Sequence, residues 1–198
     1  NHNEKVKTFN SHYKGCKNLA DFFQKKNIIS FIQIGSSVEY GPTKSPQSEN
    51  QNCSIKKLKS TYGKAKFLAT KYLLGLFKKE RLPVTILRLY LVYGPNQDPN
   101  RLISSVINSC LLKNKFPCSN ANQYRDFLYI DDLIKAITSC FGNSNSIGKI
   151  INIGQGKPKK VKDVIELINK KVGSGVPEYG KIKLRKDELK ILYPDIKL

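Results

Sequence analysis

Histidine is almost missing from this chain: His2 and His12 are the only two in 198 residues, both near the start. A zinc site, a Ser-His-Asp triad and a Cys-His dyad therefore lose their usual ingredients, and no metal is expected. There is no Cys-x-x-C pair, and Cys16, Cys53, Cys110, Cys118 and Cys140 follow no paired spacing. An odd, scattered set argues against a disulfide framework and for reduced, mostly buried thiols in a cytoplasmic protein. No stretch reaches the roughly eighteen apolar residues of a membrane helix. The first thirty residues also lack the basic-then-apolar order of a secretory signal. Neither a membrane partner nor export is expected. Chemistry here has to rest on other acids and bases.

Acids are scarce as well, with 15 Asp and Glu against 35 Lys and Arg, a net charge of +20. Such an excess raises nucleic acid or an anionic surface as a partner. Arg, however, occurs only at positions 81, 88, 101, 125 and 185, and the lysines are spread over the whole chain instead of forming one stripe with interleaved aromatics. Together with abundant Ile and Asn, this is the composition an AT-rich genome imposes on any protein. No nucleic-acid partner is expected, whereas an anionic small substrate fits the charge. The 39% hydrophobic content supports a packed core. The opening Asn1-His2-Asn3 is not a natural start, so the chain is expected to be cut from something longer.

Helix and strand patterns alternate. Residues 16–26 predict a helix with Leu19, Phe22 and Phe23 on its apolar face. The β-branched run Ile28–Ile34 predicts a buried strand stopped by Gly35. A polar loop from Gly41 to about Leu58 leads to a helix capped by Ser60 or Thr61 and running to about Lys79. Val84–Tyr90 is a second strand and Lys149–Ile153 a third. Helices are predicted near 101–113, from Asp131 and Asp132 to Ser139, and over Val161–Lys171; the two acids suit a helix amino-terminus. Strands separated by helices imply a parallel sheet, hence an α/β fold. Three core strands are few for a doubly wound sheet, so strands are expected to be missing on the amino-terminal side.

The sharpest motif is Tyr62-Gly63-Lys64-Ala65-Lys66, a Tyr and a Lys four apart on one helix face. A phenol titrates near 10, and a fixed ammonium one turn away would lower that value towards working pH. Upstream, a strand ends in Gly35-Ser36-Ser37-Val38-Glu39-Tyr40-Gly41, and the carboxyl ends of strands are where active groups sit in doubly wound folds. Arg88-Leu89-Tyr90-Leu91-Val92-Tyr93-Gly94-Pro95 and Arg125-Asp126-Phe127-Leu128-Tyr129-Ile130-Asp131-Asp132 follow, then Ile151-Asn152-Ile153-Gly154-Gln155-Gly156. In this order the blocks resemble the extended short-chain dehydrogenase/reductase family, the NAD-dependent nucleotide-sugar epimerases and dehydratases. The likeness runs from about residue 8 to the end.

The resemblance implies a role for each matching residue. Ser36 would hydrogen-bond the substrate oxygen, Tyr62 would be the acid/base, and Lys66 would hold the nicotinamide ribose and depress the Tyr62 pKa. Leu89 would lie beside the cofactor, and Ser37 and Tyr90 beside the substrate. Arg125 would grip the substrate diphosphate, a task suited to a bidentate guanidinium, with Arg101 a second candidate. NAD or NADP is the implied cofactor and a nucleotide sugar the substrate; a homodimer is implied at full length. Residues 1–95 would form the second half of a Rossmann-like cofactor domain. Residues 96–198 would form a small substrate-binding region, with 125–154 returning to the cofactor domain.

Ile153-Gly154-Gln155-Gly156 follows a strand and precedes a helix, yet Lys159 stands where a dinucleotide loop has its third glycine, so it is rejected as that loop. The family's own glycine-rich turn would precede Asn1. Tyr193-Pro194-Asp195 reads like the approach to a further helix, so the far end is also expected to be clipped. Two positions depart from the family pattern. Dehydratases place an acid just after the catalytic Ser/Thr, where this chain has Ser37 and Val38, and Glu39 would point to the other side of an extended backbone. Leu91 replaces an Asn that would contact substrate. The expectation is a 4-epimerase or 4-ketoreductase, with a 4,6-dehydratase or a non-catalytic basic binding protein as rivals.

Overall fold

The computed structural model describes residues 2–185 and 187–196. Helix α1 (His2–Phe9) runs through a π-helical turn (Asn10–Lys14) into α2 (Gly15–Phe23). Strand β1 (Phe31–Ser36) ends in a 3-10 turn (Ser37–Tyr40), and a loop leads to the long helix α3 (Thr61–Glu80). Next come β2 (Val84–Leu89), β3 (Leu91–Tyr93), α4 (Leu102–Leu111), β4 (Lys115–Pro117), β5 (Tyr124–Arg125), β6 (Phe127–Tyr129) and α5 (Ile130–Cys140). Strand β7 (Ile150–Ile153), β8 (Lys159–Lys160), α6 (Val161–Val172), β9 (Val176–Glu178) and β10 (Ile191–Leu192) complete the chain.

Strands β1, β2 and β7 form a parallel sheet in that order, with Ser36 opposite Leu89 and Leu89 opposite Ile153. Alternation along β2 sends successive side chains to opposite faces. Val84 and Ile86 join Cys16, Ala20, Ala69 and Leu73 beneath α2 and α3. Leu87 joins Leu128, Leu133, Cys140 and Ile153 on the α5 side. Helices on both faces of a parallel sheet make the fold α/β and Rossmann-like. A second core (Val106, Cys110, Phe116, Cys118, Ala121, Val161 and Ile165) fills the space between α4 and α6. All five thiols are free, and every one but Cys53 is buried. Among the described residues, no helix is long and apolar enough to cross a membrane.

Three local expectations are corrected. The first strand begins at Phe31, not Ile28, because Phe31 pairs opposite Val84 and the residue before Val84 is Pro83, which has no amide to extend the ladder. Ile28 lies in a turn instead, its amide donating to Lys26 O at 2.9 Å. The strand runs through Gly35 to Ser36, and a Cβ on Gly35 would stand 2.7 Å from Glu39 Oε1, so the glycine permits close packing there and does not stop the strand. Finally, the helical region starts at His2, and α2 buries Cys16 and Ala20 while Leu19 and Phe22 are 56% and 59% exposed. Small side chains on the buried face let α2 approach α3 closely, and the larger ones are left outside.

Candidate active site

Ser60 caps α3 by accepting from the Gly63 amide at 3.0 Å, which sets the first helical turn and puts Tyr62 on it. Lys66 follows one turn later and is only 8% exposed, a rare position for a lysine. Its Nζ donates to Ile34 O in β1 at 2.7 Å and stands 5.7 Å from the centre of the Tyr62 ring. Ser36 is both the end of β1 and the cap of the 3-10 turn, accepting weakly from the Val38 amide at 3.4 Å. The Ser36 side chain also lies close enough to the Tyr62 phenol to favour its phenolate. Leu89 ends the adjacent strand opposite Ser36. Arg101 caps α4 from an exposed position, and its cation acts on the same phenol. Four of the expected residues, Ser36, Tyr62, Lys66 and Leu89, thus converge at the carboxyl ends of β1 and β2, with the Arg101 charge felt at the phenol.

The electrostatics differ from the expectation. Burial holds the Tyr62 phenol above the ordinary tyrosine value; Ser36 and Arg101 favour the phenolate, Glu39 opposes it, and burial wins. Burial likewise pushes Lys66 down, against the pull of Glu39 and Cys16. Desolvation outweighs the nearby cation, so the Tyr62 pKa is raised and not lowered, and the phenol is protonated.

Three expected residues are held differently. Ser37 is buried as the first residue of the 3-10 turn. Tyr90 is buried with its hydroxyl donating to Gln47 Oε1 at 2.9 Å, and burial raises its pKa. Arg125 donates to Tyr124 O at 2.7 Å and pairs with Glu188, so an internal carboxylate already occupies its fork. A cleft of about 470 Å³ lined by Leu128, Asp132, Asn152, Ile153 and Gly154 contains none of these residues.

Sequence reasoning turned Glu39 away from the site but missed its partners, and it missed Glu188 altogether. Glu39 is fully buried; it receives the Ser36 amide at 2.8 Å, the Thr70 hydroxyl at 2.7 Å and Arg88 at 3.1 Å. A local signal existed, because Ser36-x-x-Glu39 is a capping-box pattern. Glu188 had none: its partner Arg125 is brought to it only by the pairing of β5 with β10.

A model of the NAD dependent epimerase/dehydratase family matches residues 1–154. The chain belongs to that family. An uncharacterized UDP-glucose epimerase of Bacillus subtilis is 32% identical to this epimerase/dehydratase-family chain over 157 residues, covering 78% of it and 48% of the relative. A putative UDP-glucose 4-epimerase of Methanocaldococcus jannaschii is 32% identical over 190 residues, 92% of this chain and 60% of that one. The solved UDP-glucuronic acid 4-epimerase from Bacillus cereus, in complex with UDP-glucuronic acid and NAD, matches with a TM-score of 0.83 at 28% identity, covering 93% of this chain and 58% of its own. dTDP-D-glucose 4,6-dehydratases also stand among the relatives of this family member. The chain spans 48% and 60% of the length of the two curated epimerase relatives.

Proposed function

We propose that this chain is the catalytic-residue-bearing part of a nucleotide-sugar 4-epimerase or 4-ketoreductase that uses NAD or NADP. The observation that carries the reading is the convergence of Ser36, Tyr62 and Lys66 at the ends of β1 and β2, with Val38, 40% exposed, where a dehydratase would need an acid. Glu39 cannot serve in its stead, because its carboxylate is buried against Arg88. The donor set fits a nicotinamide ribose: Lys66 keeps two N–H bonds after the Ile34 carbonyl, and the Tyr62 hydroxyl lies one helical turn away. When bound, the nicotinamide supplies hydride exchange at sugar C4.

The residues of the chain supply the proton chemistry. Tyr62, protonated in its buried setting, gives its proton to O4 of a 4-keto sugar; as a phenolate favoured by Ser36 and Arg101 it takes the proton back. Ser36 donates its hydroxyl to the same oxygen and shares the charge that develops there. Arg101 is the exposed cation facing an anionic substrate, and Arg125 would join it by exchanging Glu188 for the diphosphate. Residues 1–95 read as the second half of the cofactor domain and 96–198 as the substrate region, with 125–154 packed back on the sheet. A panel of nucleotide sugars with NAD and NADPH, products read by NMR, tests this. A product altered at C4 supports the reading, and loss of water assigns a dehydratase instead.

A further inference from the structure

His12 has no part in the proton chemistry of Ser36 and Tyr62. It stands in the π-helical turn, which closes with the Gly15 amide donating to Asn10 O. Such a turn adds one residue to a helix and re-aims the downstream side chains by about 100°. None of its residues is fully buried, and Tyr13 packs partly buried against the core beneath α2 and α3. It also places a contact at the site. The His12 ring meets the Tyr62 ring edge to face, centroids 4.9 Å apart and planes at 85°. Lys66 Nζ lies near that same phenol ring, 5.7 Å from its centre. Two distant chain segments thus build one cluster of imidazole, phenol and ammonium.

We propose that His12 is a positioning residue for Tyr62: its ring fixes the rotation that turns the phenol to Ser36 and shields it from water. The inference rests on reading Tyr62 as the acid/base. Burial first, then the Lys66 cation, hold the imidazole below the ordinary histidine value, so it is neutral at neutral pH. The groups that face this cluster are Lys66 and Tyr62 of α3, Ser36 and Glu39 at the end of β1, Arg101 before α4, and Cys16 of α2, whose thiol burial keeps protonated. Below its pKa the imidazole sets a second cation against Lys66 and loosens the ammonium from Tyr62. Acid is therefore expected to cost turnover through His12.

Two substitutions separate the effects, since His12→Ala removes the ring and His12→Phe keeps a ring that cannot charge. NMR titration of the chain labelled with carbon-13 in His and Tyr needs no turnover. The His12 midpoint is expected to rise in Lys66→Ala, and the Tyr62 midpoint to fall in His12→Ala but not in His12→Phe. In the full protein, His12→Ala is expected to lower kcat about tenfold with KM for the sugar nearly unchanged, as a misplaced acid/base should. His12→Phe should recover most of that loss and abolish the acidic limb of the pH profile. A His12 midpoint unmoved by Lys66→Ala overturns the proposal, as does a His12→Ala kcat within about threefold of wild type. If the wild type converts no nucleotide sugar, the reaction reading fails by itself, and the two titrations still decide whether His12 sets the Tyr62 environment.

Discussion

Glu39 and Arg88 show how charge is handled beneath the site. With the carboxylate fully buried and the guanidinium 2% exposed, each is satisfied chiefly by the other, joined by Thr70, the Ser36 amide, the Cys53 sulfur and the face of the Tyr40 ring. Breaking such a pair from one side strands a buried charge. Arg88→Met is expected to lower stability by about 3–5 kcal/mol in urea unfolding, and adding Glu39→Gln to recover much of that loss. A single-mutant cost under about 1 kcal/mol would show that water reaches Glu39 after all. Tyr62 belongs to the same scale. Tyr62→Phe removes only a hydroxyl from a half-buried ring, so melting should be unchanged while turnover on a demonstrated substrate falls by roughly 10²–10⁴. Turnover within about threefold of wild type would make Tyr62 an ordinary helix residue.

Helices α2 and α3 decide what the amino-terminal half buries. Along α2 both the Cys16/Ala20 face and the Leu19/Phe22 face satisfy helical spacing, and apolar periodicity favours the second because its residues are larger. Packing selects the first, since only small residues let α2 sit against Ala69 and Leu73 of α3. Leu73→Ala should therefore cost about 2–5 kcal/mol by cavity formation, while Leu19→Ala stays within about 0.5 kcal/mol. Equal costs in thermal melts would mean that the exposed face is covered in solution.

At the scale of the molecule, Asp126 ties the substrate region to the sheet. The Gln155 and Lys157 amides after β7 donate to its carboxylate at 2.8 and 3.2 Å. A Cβ on Gly154 would stand 3.0 Å from Asp126 Oδ1 and 2.7 Å from Pro194 Cγ, so glycine is needed there for close approach. The Gly-x-Gly turn thus cradles an internal anion where a dinucleotide loop would cradle a pyrophosphate. Residues 1–198 are accordingly expected to bind NAD only weakly, and micromolar affinity in calorimetry would overturn that expectation. Asp126→Ala should release both amides and cost about 1–3 kcal/mol, with β10 and the Pro194 segment losing hydrogen-exchange protection first.

The three core strands with the helices between them, the parallel sheet and the grouping of Ser36, Tyr62 and Lys66 were legible in the sequence, because periodicity, caps and short motifs are local; the short strands β3–β6 and β8–β10 were not. The helix from His2 to Lys14 was not, since its apolar stripe is only Val6, Phe9 and Tyr13 among polar and charged residues. The first strand's start escaped as well, being set by Pro83 on its neighbour. Only tertiary structure decided which face of α2 is buried, that Glu39 and Glu188 occupy Arg88 and Arg125, and that the Tyr90 hydroxyl is taken by Gln47. The same holds for the charge state of Tyr62: spacing puts an ammonium one turn away, but desolvation and the direction of Lys66 Nζ depend on what packs around them. A sequence names the groups and their separation along the chain. Burial and pairing between distant segments set their energies, and these exist only once the chain is folded.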